Sequence, residues 1–204
     1  MSNFENLWGQ SYDDVSEGFK LGVNDKVFLH DIKYEEGQYG PQLYVEWHKG
    51  QRAVKNWYSI PSIEEVQSGR IDMDKYKELI TRFNSIIKLL VCNYVSEETY
   101  QAHLKGYPNA QAFVNDVLTL IPANFQELEG QLILGYNKKG YLSPPVSIKM
   151  TGPFWSVGGK YDLRVSDIIL NSKPKEADSS SASNDDLGLG SATPTSLSND
   201  DLPF

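Results

Sequence analysis

The 204-residue sequence predicts an α+β chain: a small antiparallel barrel of five strands, interrupted after the third by a block of helices and followed by a disordered acidic tail. Three observations predict it. Short β-patterned runs lie before residue 61 and resume at residue 130, residues 62–129 carry apolar side chains at helical spacing, and the chain from residue 171 onward has only scattered leucines and a single aromatic, Phe204.

The elements follow in order. A first strand spans 22–34 around Val27-Phe28-Leu29-His30-Asp31-Ile32, and the turn Glu36-Gly37-Gln38-Tyr39-Gly40-Pro41 breaks it. Leu43-Tyr44-Val45-Glu46-Trp47 and Ala53-Val54-Lys55-Asn56-Trp57-Tyr58 form a hairpin across the polar connection His48-Lys49-Gly50-Gln51-Arg52, and Pro61 closes this region. Ser62-Ile63-Glu64-Glu65 carries the Ser-x-x-Glu capping signature of a short helix that Gly69 stops. A long helix over 72–95 follows, with a stripe that includes Phe83, Ile86, Ile87, Leu90 and Val91. Ser96 opens another helix, ended by Gly106. Asn109 caps the last, whose stripe runs through Phe113, Val114 and Val117 to Ile121 before Pro122. Gly130 restarts β patterning with Gln131-Leu132-Ile133-Leu134-Gly135-Tyr136, the turn Asn137-Lys138-Lys139-Gly140, the alternating run Val146-Ser147-Ile148-Lys149-Met150, and a final strand at 163–170. Three strands, helices, then two or three strands is the connectivity of an OB-fold, here enlarged by the helical insertion at 62–129. The predicted organisation is an N-terminal extension at 1–17, an OB-like body at 18–170 and a tail at 171–204.

Charge is segregated along the chain. The net charge of −8 divides into −4 over residues 1–19, +1 over 20–61, −4 over 62–129, +5 over 130–175 and −6 over 176–204. Whole-chain acidity argues against an anionic partner, but the body has a basic region and most of the acid lies elsewhere. No apolar run is long enough to span a membrane, and the N-terminus lacks the basic-then-apolar order of a signal peptide, so a cytoplasmic location is expected.

Catalysis finds no foothold. There is no phosphate-binding loop, no His-Glu-x-x-His and no Gly-x-Ser-x-Gly, and Gly158-Gly159-Lys160 lacks the rest of a P-loop. Paired acids such as Asp13-Asp14 and Glu64-Glu65 read as solvated faces or a helix first turn. Cys92, the single cysteine, falls in the apolar stripe and reads as a buried structural thiol. His30, His48 and His103 have no metal-ligand spacing, so neither cofactor nor metal is expected.

Binding finds more. Lys138, Lys139, Lys149 and Lys160 occur without an acid over 131–161, interleaved with Tyr136, Tyr141, Phe154, Trp155 and Tyr161; the first hairpin adds Lys49, Arg52 and Lys55 beside Trp57. Rings that stack on bases, set among cations that track phosphates, are what sequence-tolerant single-strand binding uses. Alternation places Lys55, Trp57 and Ser59 on one face and Val54, Tyr58 and Ile60 on the other. Trp47 shares parity with Leu43 and Val45 and is assigned to the core. Trp155 joins the binding set because Gly152-Pro153-Phe154-Trp155-Ser156-Val157-Gly158-Gly159 reads as an aromatic-tipped loop.

The tail repeats Ser183-Asn184-Asp185-Asp186-Leu187 as Ser198-Asn199-Asp200-Asp201-Leu202 and ends in Pro203-Phe204. This ending resembles the C-terminal tip of the single-stranded DNA-binding proteins of bacteria and their phages, usually Asp-Asp-Ile-Pro-Phe, with Leu202 the one departure. The helical insertion makes a phage-encoded member the better fit, acting in the host cytoplasm. The resemblance implies a non-catalytic protein that coats single-stranded DNA in replication, recombination and repair. It also implies that Asp200, Asp201, Leu202, Pro203 and Phe204 dock on partner enzymes such as a polymerase, helicase-primase or nuclease. Whether it forms a homo-oligomer stays open. The rival expectation, from another class, is an interaction adaptor that never meets DNA.

Overall fold

The computed structural model describes residues 18–137, 139–145 and 153–165. Among them run β1 (Gly22–Gly37), β2 (Gly40–Lys49), β3 (Arg52–Ser59), α1 (Ile63–Gln67), α2 (Met73–Cys92), α3 (Glu97–His103), α4 (Ala110–Leu118), β4 (Glu129–Tyr136), β5 (Leu142–Ser143) and β6 (Trp155–Val157). The sheet order is β3-β2-β1-β4-β5, antiparallel at every pairing, with β6 also on β4. β5 and β6 pair with successive stretches of one edge of β4, Tyr136 opposite Leu142 and Leu132 opposite Trp155, while β1 holds the other edge. They act together as one interrupted fifth strand, and β5 returns towards β3. The result is a nearly closed antiparallel five-strand barrel with its helices between the third and fourth strands, an arrangement consistent with an OB-like barrel.

β1 closes the barrel because it is long enough to serve two neighbours, β4 along its first half and β2 along its second. It bends at two register shifts. One lies between Asn24 and Val27, where Lys26 takes φ 55°; the other lies between Leu29 and Asp31, where His30 is the extra residue. The second shift reverses side-chain parity. Val27 and Leu29 point into the core, whereas beyond His30 it is Ile32 and Tyr34 that pack against it, turning Lys33 and Glu35 outward.

The core joins both inward barrel faces to the helices. Leu43, Val45 and Trp47 of β2 are fully buried, with Leu132, Ile133 and Leu134 of β4 and Ile87, Leu90 and Val91 of α2. Ser62 forms the full capping box with Glu65, and Asp72, Ser96 and Asn109 cap α2, α3 and α4 through their side chains. Buried Asn93, just past α2, ties that helix to the barrel. Its amide donates to Leu89 O (2.9 Å) and Trp155 O (3.2 Å), and its Oδ1 accepts from Val157 N (2.8 Å).

Two expectations need correction. The residues around Trp155 form a strand, not an aromatic-tipped loop, and the described part of the expected final strand, 163–165, is not extended in any ladder. The strand expected at 146–150, the N-terminal extension at 1–17 and the tail at 171–204 lie outside the described residues. No helix among the described residues is long and apolar enough to cross a membrane.

Candidate nucleic-acid interface

The outward face of β1, β2 and β3 presents side chains in rows fixed by the ladder. Lys33 lies opposite Tyr44 and Tyr44 opposite Trp57; Asp31 lies opposite Glu46 and Glu46 opposite Lys55. In the first row the Lys33 ammonium sits 4.8 Å from the centre of the Tyr44 ring, a cation–π contact, and Tyr44 meets Trp57 at 5.3 Å between centroids. Trp57 remains 48% exposed and so offers an open ring face. Its Nε1 donates to Glu35 Oε1 at 2.6 Å, which fixes the indole against rotation.

The second row is an ionic one. Glu46 accepts from the Tyr44 hydroxyl, contacts His48 Nε2 at 2.7 Å and lies 3.6 Å from Lys55 Nζ. These partners, the Tyr44 hydrogen bond foremost, hold its carboxyl well below the usual range, at about 2. Partial burial and the same hydrogen bond push the Tyr44 phenol up, so it stays a neutral donor. Lys33 pairs with Asp31 at 2.7 Å, which raises the lysine further. Beyond His48 the ring of His30 stacks almost parallel at 4.0 Å. The face carries Lys33 and Lys55 against Asp31, Glu35 and Glu46, so rings rather than net positive charge distinguish it.

Two turns flank these strands with further rings. Tyr39, at the tip of the β1–β2 hairpin, is 91% exposed, and Tyr141, in the β4–β5 turn, is 68% exposed. Asn137 organises the second turn by accepting from Lys139 N and Tyr141 N, both at 3.0 Å, and Lys139 is exposed there.

The sequence-predicted residues divide. Trp57 and Lys55 stand on the face, Arg52 is exposed at the hairpin turn beside it, and Tyr136, Lys139 and Tyr141 lie at or next to the β4–β5 turn. Phe154 and Trp155 are corrected to core: both are fully buried and edge-on to Trp47 at 6.4 and 6.3 Å, Trp155 opposite Leu132 in the β6 ladder and Phe154 just before it, where its carbonyl accepts from Ile133 N. Lys49 is corrected too, being only 7% exposed, since it continues the inward parity of Val45 and Trp47. Lys160 is exposed but donates to Val95 O at 2.7 Å. It lines an open pocket of about 570 Å³ with Lys88, Cys92, Glu97 and Tyr161, away from the strands of the ring face. Burial pushes the Cys92 thiol up, which suits a structural thiol better than a nucleophile. Lys138, Lys149 and Asp200 to Phe204 lie outside the described residues. Sequence reading missed Lys33, Glu35 and Tyr44. Parity opposite Trp47 marks Tyr44, but only the bulge at His30 turns Lys33 and Glu35 to its side.

Among the described residues no cluster of three His, Cys, Asp or Glu groups is placed to hold a metal ion. Compared with known proteins, the chain matches no family model, no curated protein and no solved structure.

Proposed function

We propose that this protein binds single-stranded DNA on the outward face of β1–β3 and recruits replication or recombination enzymes through its C-terminal tip. The observation that carries the reading is Trp57: half-exposed, backed by Tyr44 and fixed at its edge by Glu35. A large apolar ring kept open to solvent and braced on two sides is a stacking platform, at ~1–3 kcal/mol per stacked base. Its place supports the same reading. In an OB-fold the face of strands 2 and 3, flanked by the 1–2 and 4–5 loops, takes oligonucleotides, and here those positions hold Tyr44, Trp57, Tyr39 and Tyr141.

The tip has its own physics. The Phe204 ring suits an apolar pocket and Asp200 and Asp201 suit a basic rim, while Pro203 lowers the ordering cost. The test is anisotropy of labelled oligo-dT, single-stranded and duplex, with the whole protein and with residues 196–204 deleted. The proposal expects binding to the single strand, binding retained or tightened by the deletion, and loss of enzyme recruitment with it. An adaptor would bind neither oligonucleotide.

A further inference from the structure

The acids on the ring face are not equivalent. Glu46 already serves Tyr44, His48 and Lys55, and Asp31 is paired with Lys33. Glu35 accepts from the Trp57 indole, and among the described residues no other side chain donates to it. A carboxylate has two oxygens and about four acceptor sites, so Glu35 keeps most of its capacity while being held at the edge of the exposed ring. A base stacked on the indole lies above the plane in which Nε1 meets Oε1, with Oε2 the oxygen left to its edge.

We infer that Glu35 reads the base stacked on Trp57 and favours guanine over thymine. The inference rests on the reading that single-stranded DNA stacks on Trp57. Unpaired bases are read on their Watson–Crick edges, and there guanine alone offers two adjacent donors, N1–H and the N2 amine, which converge on the one carboxylate oxygen that the indole leaves free. Cytosine and adenine offer one amine beside a ring-nitrogen acceptor. Thymine offers N3–H between two carbonyl oxygens, which the carboxylate repels. The order of preference is therefore guanine, then cytosine and adenine, then thymine. An acid facing a nucleic acid, which counts against phosphate binding, becomes a base-selecting group when it lies at the edge of a stacking ring.

The test is a competition assay with the full-length protein, using oligo-dT, the same oligomer carrying guanine at spaced positions, and a third with inosine at those positions. The guanine oligomer is expected to bind about five- to tenfold more tightly than oligo-dT, with most of that gain absent for inosine, which lacks the N2 amine. Glu35→Gln, whose amide oxygen still accepts from the indole, should abolish the gap between the guanine oligomer and oligo-dT, and an unchanged melting temperature separates that loss from misfolding. Binding to all three oligomers without preference, or a preference that survives in Glu35→Gln, overturns the Glu35 assignment while leaving single-strand binding intact. Binding to none overturns both.

Discussion

Trp57 is costly to leave exposed, and Tyr44 and Glu35 brace it on two sides. Replacing it by alanine should lower single-strand affinity by ~1–3 kcal/mol, measured by titration, while thermal melting shows the fold retained because the ring is not part of the core. Glu46 gives a second prediction with a defined sign. Its folded value of about 2 lies below the ordinary 4.5, so its contribution to stability is full above about pH 4.5 and is lost as pH falls towards 2. Denaturant unfolding of the protein and of Glu46→Gln should differ at pH 6 and converge near pH 2; a gap that persists unchanged to pH 2 would contradict the assignment. At this scale strand alternation alone made Lys55 and Trp57 legible. It left Lys33 and Glu35 unplaced, since a regular strand carried past His30 would put them on the face of Val27 and Leu29, and a one-residue bulge is invisible to a period of two.

Elements were legible where their signals are local. The caps Ser62, Asp72, Ser96 and Asn109 lie where the sequence places helix starts, because each satisfies its own first turn. β6 was not legible. Three residues carry too little pattern to announce a strand, and what makes Trp155–Val157 one is its pairing to β4 and the grip of Asn93, more than sixty residues away in the chain. Gly130 shows how tight that joint is. A Cβ there would lie 2.6 Å from Ser156 O and 2.7 Å from the Trp155 ring, and neither a ladder carbonyl nor a buried indole can yield easily. Gly130→Ala should therefore destabilise by ~1–3 kcal/mol and loosen β6, read as a lower melting temperature and faster amide exchange at Ile133, whose N–H bonds Phe154 O.

For the whole molecule the net charge of −8 is less informative than its placement. The sequence led to an expectation of phosphate contacts and stacking together, centred on the basic region at 130–175. The described ring face balances Lys33 and Lys55 against three carboxylates, so on the proposed reading stacking carries more of the affinity. Counting Arg52 and Lys139 as well, four cations on single-stranded DNA give a salt slope no steeper than about −3; a much steeper slope, from titrations across a salt series, would relocate the site to a more basic surface.

On the proposed reading, single-stranded DNA lies on Trp57. Of the three tryptophans among the described residues, Trp47 and Trp155 are fully buried and Trp57 is half-exposed; Trp8 lies outside them, so the difference between the protein and Trp57→Phe, with Trp8 present in both, isolates the indole emission of the face. Titration with oligo-dT should quench that emission saturably, and Trp57→Phe should abolish most of the quench while retaining part of the affinity. Quenching that survives unchanged in Trp57→Phe, or no change in emission at any oligo-dT concentration, would contradict the account.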